Sequence, residues 1–475
     1  MCFNALMQYI VFIAYFAILL TVGFIYYRRS KTSSSFVLGD RNLNYWVAAL
    51  SAHASDMSSW LFMGFPAAIY IYGGGELWTA VALMIFMFLT WHYIAPRLRE
   101  KTALHGSLTL SSFFASRFIL PEQTILPKDR TSLQVISSLI CVFFLVAYIA
   151  SGLVGLGRMF ESLFDIDYRA GVIGGVVVIM AYTFLGGFLA VAWNDMIQAV
   201  FLLLMLILIP VLAFKHLPES ESIVTLVAEQ SSSDGLFSRI LFSASWGLGY
   251  FGLPHVLNKF MSIDKPENIR KAKYIGLTWQ TLALVAAILV GVFGYKIIPD
   301  LDKPELVFVR LTQFLLDPVL AQIVLCAILA AALSTLDSQV ISAASTLSED
   351  VFDVPPNKQI WLTRGGIVSI CCAATGLAWS NTASIYELVF YAWAGLGASF
   401  GPLVLWSLSD RVISEKTALY GMLTGALLSG IWPALPGFMS EAVPSMIPGF
   451  LGANFIIFWL SRKEQNLDSS IRTSF

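Results

Sequence analysis

The chain has 475 residues, of which 57% are hydrophobic and 12% charged, and its mean hydropathy is +0.75. No soluble domain of this size needs so much apolar surface, so the composition predicts an all-α polytopic membrane protein. The net charge of −1 gives no indication of a nucleic-acid partner. The sequence also lacks the G-x-x-x-x-G-K-[ST] and H-E-x-x-H motifs, so we predict no enzyme, no ATP drive and no organic cofactor.

Apolar segments long enough to cross a bilayer recur along the chain. A helix needs about 20 residues to span the hydrocarbon, and thirteen segments qualify as candidates. They lie near residues 8–27, 44–72, 76–95, 134–158, 169–191, 194–214, 238–262, 274–296, 318–346, 360–380, 385–408, 415–436 and 445–461. The connections between them are too short for a soluble domain, so residues 1–475 are predicted to form a single transmembrane domain.

Lys and Arg are distributed unevenly between the two sides that this count defines. With the N-terminus outside, 22 of these residues fall in inner loops, Lys259 among them, and 7 fall outside. Cytoplasmic loops carry the excess of positive charge. The pattern predicts an outer N-terminus and a cytoplasmic C-terminus, in the plasma (inner) membrane.

Thirteen segments divide into one, ten and two. Ten segments form two groups of five, and an odd repeat length places the two groups in opposite orientations. This predicts a five-plus-five inverted-repeat core near residues 44–408, with extra helices near 8–27, 415–436 and 445–461. Such transporters bind their substrates at mid-membrane, between broken helices.

The first group opens with SAHASDMSSW, from Ser51 to Trp60, which holds the carboxylate of Asp56 inside an apolar segment. A charge at this depth costs on the order of 3 kcal/mol. One interpretation is a packing face of small residues, with Asp56 bonded to a neighbouring helix. The other is an interrupted helix whose free carbonyl and hydroxyl groups form a cation site. We expect the interruption between Ser51 and Ser58.

The second group opens with SWGLGYFGLPH, which has three glycines and a proline within eight residues. These residues predict a second interruption between Gly247 and Pro254, facing the first; a glycine-rich packing face is the alternative. Trp246 and Tyr250 are four residues apart and share one helix face. Pro254 lacks an N–H and frees the carbonyl of Tyr250. Together they predict an aromatic pocket wall with free backbone groups.

Further polar residues interrupt other apolar segments. Ser334 and Thr335 offer adjacent hydroxyl groups of the kind that bind hard cations. Asp337 and Ser338 follow one helical turn later. Asp195 is expected to cap the sixth segment. Because a carboxylate pair near the membrane needs a positive partner, Asp195, Asp337 and Ser338 are also predicted to form a second cation site.

Five stretches resemble the sodium/solute symporter family, and within it the bacterial sodium/proline symporters. They are ALSAHASDMSSWLFMGFP, YTFLGGFLAVAWND, WGLGYFGLPHVLNKFM, AILAAALSTL and FYAWAGLGASFGPLVL. The resemblance implies a LeuT-type five-plus-five fold. It implies a Na⁺ site made by the carbonyls of Ala54, Met57 and Ala331 and the hydroxyls of Ser334 and Thr335. It assigns ion and substrate binding to Asp56 and Ser58, substrate contacts to Tyr148, Trp246, Tyr250 and Pro254, coupling to Arg41, and gating to Asp195.

The expected function is Na⁺-driven import of a small zwitterion, with L-proline as the favoured substrate. Two positions depart from the proline symporters, since Leu253 replaces a glutamine and His53 replaces a glycine. Another amino acid, a carboxylate or a sugar therefore stays open as substrate. A symporter-like membrane sensor and a passive channel are the alternatives from other classes. The expected partners are Na⁺, a small solute and the lipid bilayer.

Overall fold

The structure, a computed structural model, describes residues 2–28, 31–118, 130–164, 166–217, 236–380, 385–411, 413–437 and 443–473. Parts of the predicted core, at 119–129, 165, 218–235 and 381–384, lie outside these ranges. The α-helices of the described ranges are α1 Cys2–Tyr27, α2 Ser33–Leu38, α3 Tyr45–Met57, α4 Gly64–Tyr72, α5 Leu77–Leu89, α6 Ala95–Leu104, α7 Leu110–Phe118, α8 Ser132–Phe164, α9 Tyr168–Ala213, α10 Leu236–Gly249, α11 Pro254–Met261, α12 Ile269–Ile297, α13 Val307–Leu315, α14 Pro318–Asp350, α15 Pro356–Ala378, α16 Ile385–Leu408, α17 Glu415–Ile431 and α18 Met446–Thr473.

Within the described residues, seven helical stretches are long and apolar enough to cross a membrane. They are Ser59–Leu104, Ser132–Glu161, Tyr168–His216, Pro266–Ile297, Pro318–Asp350, Pro356–Ala378 and Glu387–Leu408. The predicted number of thirteen stays a prediction. Breaks account for part of the difference, because α3, α4, α10 and α11 have only 13, 9, 14 and 8 residues.

The first interruption lies at the C-terminal end of the predicted range. Helix α3 runs without a break through Ser51 to Met57, and the chain leaves the helix at Ser58, with φ 50° and ψ −169°. A short 3₁₀ turn, Ser59–Leu61, precedes α4. The expected break between Ser51 and Ser58 is therefore confirmed at Ser58, the last residue of that range. Ala, Ser and Met are compatible with a helix, so composition alone did not locate its end.

The second interruption is confirmed. Helix α10 ends at Gly249 and α11 begins at Pro254, so residues 250–253 connect the two halves. Here the backbone N–H groups bond to the carbonyl three residues earlier instead of four. The N–H of Gly252, for example, bonds to the carbonyl of Gly249 (2.9 Å). The glycine-rich packing face is also present. A Cβ atom added at Gly252 would lie 2.5 Å from the backbone nitrogen of Gly401.

The fifth and sixth predicted segments join without a loop. Both belong to α9, which bends at Gly187, where φ is 59° and ψ is −152°. Glycine adopts such a conformation without the steric penalty that other residues suffer. Asp195 lies well inside the second half of α9 and is buried. The expectation that Asp195 caps a helix was therefore wrong.

Helix α14 occupies the centre of the bundle. It packs against α3, α8, α9 and α15, and most of its side chains are buried. Its many Ala and Ser residues allow neighbouring helices to approach closely. Outside this centre, α1 packs on α9, while α17 and α18 pack on each other and on α16. The polar residues of α14 consequently face other helices.

Candidate functional site

Four oxygen atoms from two helices converge near the end of α3. The hydroxyl group of Ser334 donates to the carbonyl oxygens of Ala54 (3.0 Å) and Ala331 (3.1 Å). The hydroxyl group of Thr335 reaches the same two carbonyls, at 3.5 and 3.2 Å. All four residues are buried. We call these atoms the oxygen cluster; they are four of the five groups that the family resemblance implied for Na⁺.

The spacing of the oxygen cluster suits a small hard cation. Such cations lie about 2.3–2.6 Å from oxygen ligands, which places adjacent corners of an octahedron about 3.3–3.7 Å apart. The observed separations of 3.0–3.5 Å are close to this range. The C-terminus of α3 adds negative partial charge. There the N–H of Leu61 bonds to the carbonyl of Ser58 (3.4 Å), not to that of Met57, the fifth expected ligand.

Asp56 connects the two broken helices. Its Oδ2 accepts a hydrogen bond from the hydroxyl group of Tyr250 (2.7 Å), which lies in the connection between α10 and α11. Its Oδ1 is buried and has no hydrogen-bond partner in the described part of the chain. The two interruptions therefore face each other, as predicted. The carboxylate of Asp56 is thus hydrogen-bonded to Tyr250. It makes no hydrogen bond to the oxygen cluster.

A cavity of about 520 Å³ lies above the oxygen cluster. Its wall includes Ser58, Tyr148, Trp246 and Thr335, and it extends between α4 and α10 to Tyr72 and Glu305, both exposed. Most of its surface is apolar. A smaller space, lined by Asp56, Ser58 and Tyr250 among others, adjoins it through shared residues. A mostly apolar cavity with a few polar groups is typical of a small-molecule site.

Aromatic rings form one side of this cavity. The ring of Trp246 lies 5.2 Å from that of Phe390, 5.4 Å from that of Trp393 and 6.0 Å from that of Trp60. The ring of Tyr250 lies 5.5 Å from that of Trp393. Trp246 and Tyr250 thus contact a common neighbour, as expected for residues on one helix face. Such rings offer a rigid apolar surface to a compact solute.

A second polar group lies about one helical turn along α14 from the oxygen cluster. Oδ2 of Asp195 accepts hydrogen bonds from the ammonium group of Lys259 (2.9 Å) and the hydroxyl group of Ser338 (3.0 Å). The carboxyl group of Asp337 lies close enough to Asp195 to interact with it electrostatically, and its Oδ2 accepts a hydrogen bond from the hydroxyl group of Tyr182 (2.8 Å). We call Asp195, Lys259, Asp337 and Ser338 the acidic cluster. The three residues that sequence predicted together are in contact.

The family model for the sodium:solute symporter family matches residues 36–425. Proteins named sodium/proline symporter from Staphylococcus aureus strains JH9 and USA300 are 33% identical, over 98% of this chain and 94% of theirs. The chain belongs to the sodium:solute symporter family.

Solved structures show the same fold for this symporter. A Na⁺-coupled sialic acid symporter, in a substrate-bound outward-open state, matches with a TM-score of 0.79 and 17% identity. The match covers 96% of this chain and 97% of that one. A nucleobase-cation-symport-1 family transporter matches with a TM-score of 0.55 and 14% identity, over 91% and 96% of the two chains. The helical core is therefore of the LeuT type.

Arg41 lies away from the cavity of the symporter, where the ends of several helices meet. Its guanidinium donates to the carbonyls of Thr102 (3.0 Å), Ser107 (2.5 Å) and Met261 (2.7 Å). Burial and, second, the neighbouring Arg99 lower the pKa of Arg41 to about 10, so it stays protonated at neutral pH. A cation suits these carbonyl groups because helix C-termini carry negative partial charge.

Three residues near the pocket motif lie outside the cavity wall. Pro254 begins α11 as its first residue, and Leu253 before it is fully buried in the core. The ring of His53 lies 6.1 Å from that of Trp91 and 6.0 Å from that of Trp279, and its Nε2 accepts a hydrogen bond from the indole N–H of Trp91 (3.1 Å). The lining of the cavity includes none of the three. The two positions at which the sequence analysis noted a departure therefore do not contribute to this wall.

The sequence analysis missed two residues. Gln339 lines the cavity, and neither atom of its buried amide has a hydrogen-bond partner among the described residues. It follows Thr335 by one turn, a spacing that identifies it once the cavity is known. Lys259 was counted among inner-loop charges, yet only 1% of its side chain is exposed. A buried lysine in an apolar segment gives no signal of its partner.

Proposed function

We propose that the protein is a Na⁺-coupled symporter that imports a small zwitterion, with L-proline as its substrate. One observation carries the proposal: Thr335 belongs to the oxygen cluster and also lines the cavity. An ion bound at the cluster would fix the wall that a solute touches. Ion and solute would then stabilise the same conformation, which is the thermodynamic requirement for coupling.

The ion site of this proposal consists of Ala54, Met57, Ala331, Ser334 and Thr335. Their carbonyl and hydroxyl oxygens are the ligands that hard cations prefer. On Na⁺ binding, each hydroxyl would turn its proton away from the carbonyl that it now contacts. Asp56 would contribute its unpaired Oδ1 nearby. Na⁺ is cargo here, and no organic cofactor is expected.

The solute site of this proposal is the cavity between the two broken helices. Ser58, Tyr148, Trp246 and Tyr250 line the cavity or the smaller space beside it, and Pro254 shapes the break. The aromatic rings would flank the pyrrolidine ring, while polar groups near Asp56 would hold the charged end. Relatives named sodium/proline symporter favour this substrate, and so does the position of Leu253 and His53 outside the cavity wall.

We further propose that residues 1–475 form one transport domain with thirteen membrane-spanning segments in the plasma membrane. With the N-terminus outside, the cavity mouth at Tyr72 and Glu305 faces outward. The opposite side would be closed by the Asp195–Lys259 ion pair (2.9 Å) and by the hydrogen bonds of Arg41. Arg41 and the acidic cluster would then control inward opening and coupling.

Gln339 provides a test of the solute site. In Gln339→Leu we expect the proline concentration for half-maximal uptake to rise about fivefold, because a solute loses one hydrogen bond of about 1 kcal/mol. Labelled proline uptake at saturating Na⁺ measures it. Gln313→Leu, at an exposed position on α13, is the matched control. Equal proline dependence in the Gln339 variant and the control would remove Gln339 from the site.

The direct test of the substrate is a competition panel. Purified protein in proteoliposomes takes up labelled L-proline under an inward Na⁺ gradient, while unlabelled amino acids, carboxylates and sugars compete. We expect proline to compete most strongly and uptake to fall to background without Na⁺. If another solute competes more strongly, that solute and not proline is the substrate, and the proposal of sodium symport still holds. Absence of transport for every solute would favour a sensor.

A further inference from the structure

Lys259 is buried inside the helical bundle. Both it and Asp195 are buried, with side-chain exposures of 1% and 0%. The ammonium group is 2.9 Å from Oδ2 of Asp195 and 4.8 Å from the centre of the Phe188 ring. A buried ammonium group without a counter-charge is strongly unfavourable. The buried position of this lysine therefore depends on the aspartates of the acidic cluster.

The acidic cluster is not a balanced ion pair. It holds two carboxyl groups, of Asp195 and Asp337, for one ammonium group. The Oδ1 atom of each aspartate is buried and lacks a hydrogen-bond partner in the described part of the chain. Two carboxyl groups with unpaired oxygens and a serine hydroxyl are a ligand set for a small cation. The positively charged ammonium group of Lys259 already lies against one of these ligands, Oδ2 of Asp195.

The acidic cluster is also adjacent to the oxygen cluster. Ser338 follows Ser334 by four residues on α14, about one helical turn of 5.4 Å. Its hydroxyl group donates to the same Oδ2 atom of Asp195 that receives the ammonium. A free cation at Asp195 and the ammonium of Lys259 would therefore compete for the same oxygen.

We propose that the ammonium group of Lys259 takes the place of a second Na⁺ ion at the acidic cluster. The cation is covalently tethered, so it stays with the protein through the transport cycle. The symporter then binds one Na⁺, at the oxygen cluster, and moves one Na⁺ per solute. This inference rests on the proposed sodium symport, but its ion count is measurable without any solute.

Equilibrium binding of radiolabelled Na⁺ to the purified full-length protein tests the inference. Wild type is expected to saturate at one Na⁺ per chain, with a Hill coefficient of about one. Lys259→Met opens the acidic cluster and is expected to saturate at two Na⁺ per chain. Saturation of wild type at two Na⁺ would overturn the inference, whatever the variant does.

Matched variants separate a tethered cation from a structural ion pair. Lys259→Met combined with Asp195→Asn removes both partners and should return to one Na⁺, whereas Lys259→Arg keeps the charge and should also bind one. If folded Lys259→Met and Lys259→Gln both bind a single Na⁺, the lysine blocks no ion site and the inference is wrong. If the wild-type protein binds no Na⁺ at all, that result would instead contradict the proposed function.

Discussion

Replacing both Ser334 and Thr335 by alanine is expected to raise the Na⁺ concentration for half-maximal uptake at least about tenfold, a loss of about 1.4 kcal/mol or more. The change removes two of the four oxygens in the oxygen cluster, and it leaves the carbonyls of Ala54 and Ala331 without their present partners. Proline uptake across a Na⁺ titration measures the effect.

The control for this variant is Ser345→Ala. Ser345 is another buried serine of α14, farther along the helix and outside the oxygen cluster. It reports the effect of losing a buried hydroxyl group from the same helix. An unchanged Na⁺ dependence in a folded double variant would show that the cluster is not the ion site.

Trp246→Ala is expected to raise the half-saturating proline concentration about tenfold while leaving Na⁺ binding without solute unchanged. The Trp246 ring lines the cavity and contacts Phe390 and Trp393, and its indole is outside the oxygen cluster. Truncation removes a large apolar contact from the solute. Proline affinity and Na⁺ affinity are measured on the same purified variant.

Trp78→Ala serves as the control, because Trp78 is 42% exposed on α5 and is absent from the cavity wall. It should change neither affinity. Equal losses of Na⁺ and proline binding in Trp246→Ala would make Trp246 a structural residue, and the solute site would have to be sought elsewhere.

The sequence located the second interruption because its cause is local. Gly249, Gly252 and Pro254 disfavour a helix wherever they lie. The first interruption has no such local cause. Ser58 adopts a positive φ of 50°, which a serine side chain does not favour. Its position depends on packing with α14 and on capping of Trp60 by the Ser58 hydroxyl (3.1 Å).

The candidate site was likewise predictable only where its cause is local in the sequence or is given by the family resemblance. Adjacent hydroxyl groups in an apolar helix marked Ser334 and Thr335, and the family resemblance added Ala54 and Ala331. The hydrogen bond between Asp56 and Tyr250 could not be anticipated, because it joins residues 194 positions apart. Lys259 was misplaced for a related reason. Charge counting assigns lysines to loops, and only the tertiary contact with Asp195 shows why this one is buried.

Coupling of the two fluxes is the central claim, and solute-driven Na⁺ uptake into proteoliposomes tests it most directly. With equal Na⁺ on both sides at the start, an inward proline gradient should accumulate labelled Na⁺ in the vesicles above its outside concentration. The Ser334→Ala, Thr335→Ala double variant should lose this accumulation at low Na⁺. Na⁺ entry without proline would identify a channel, and proline entry that moves no Na⁺ would contradict the account.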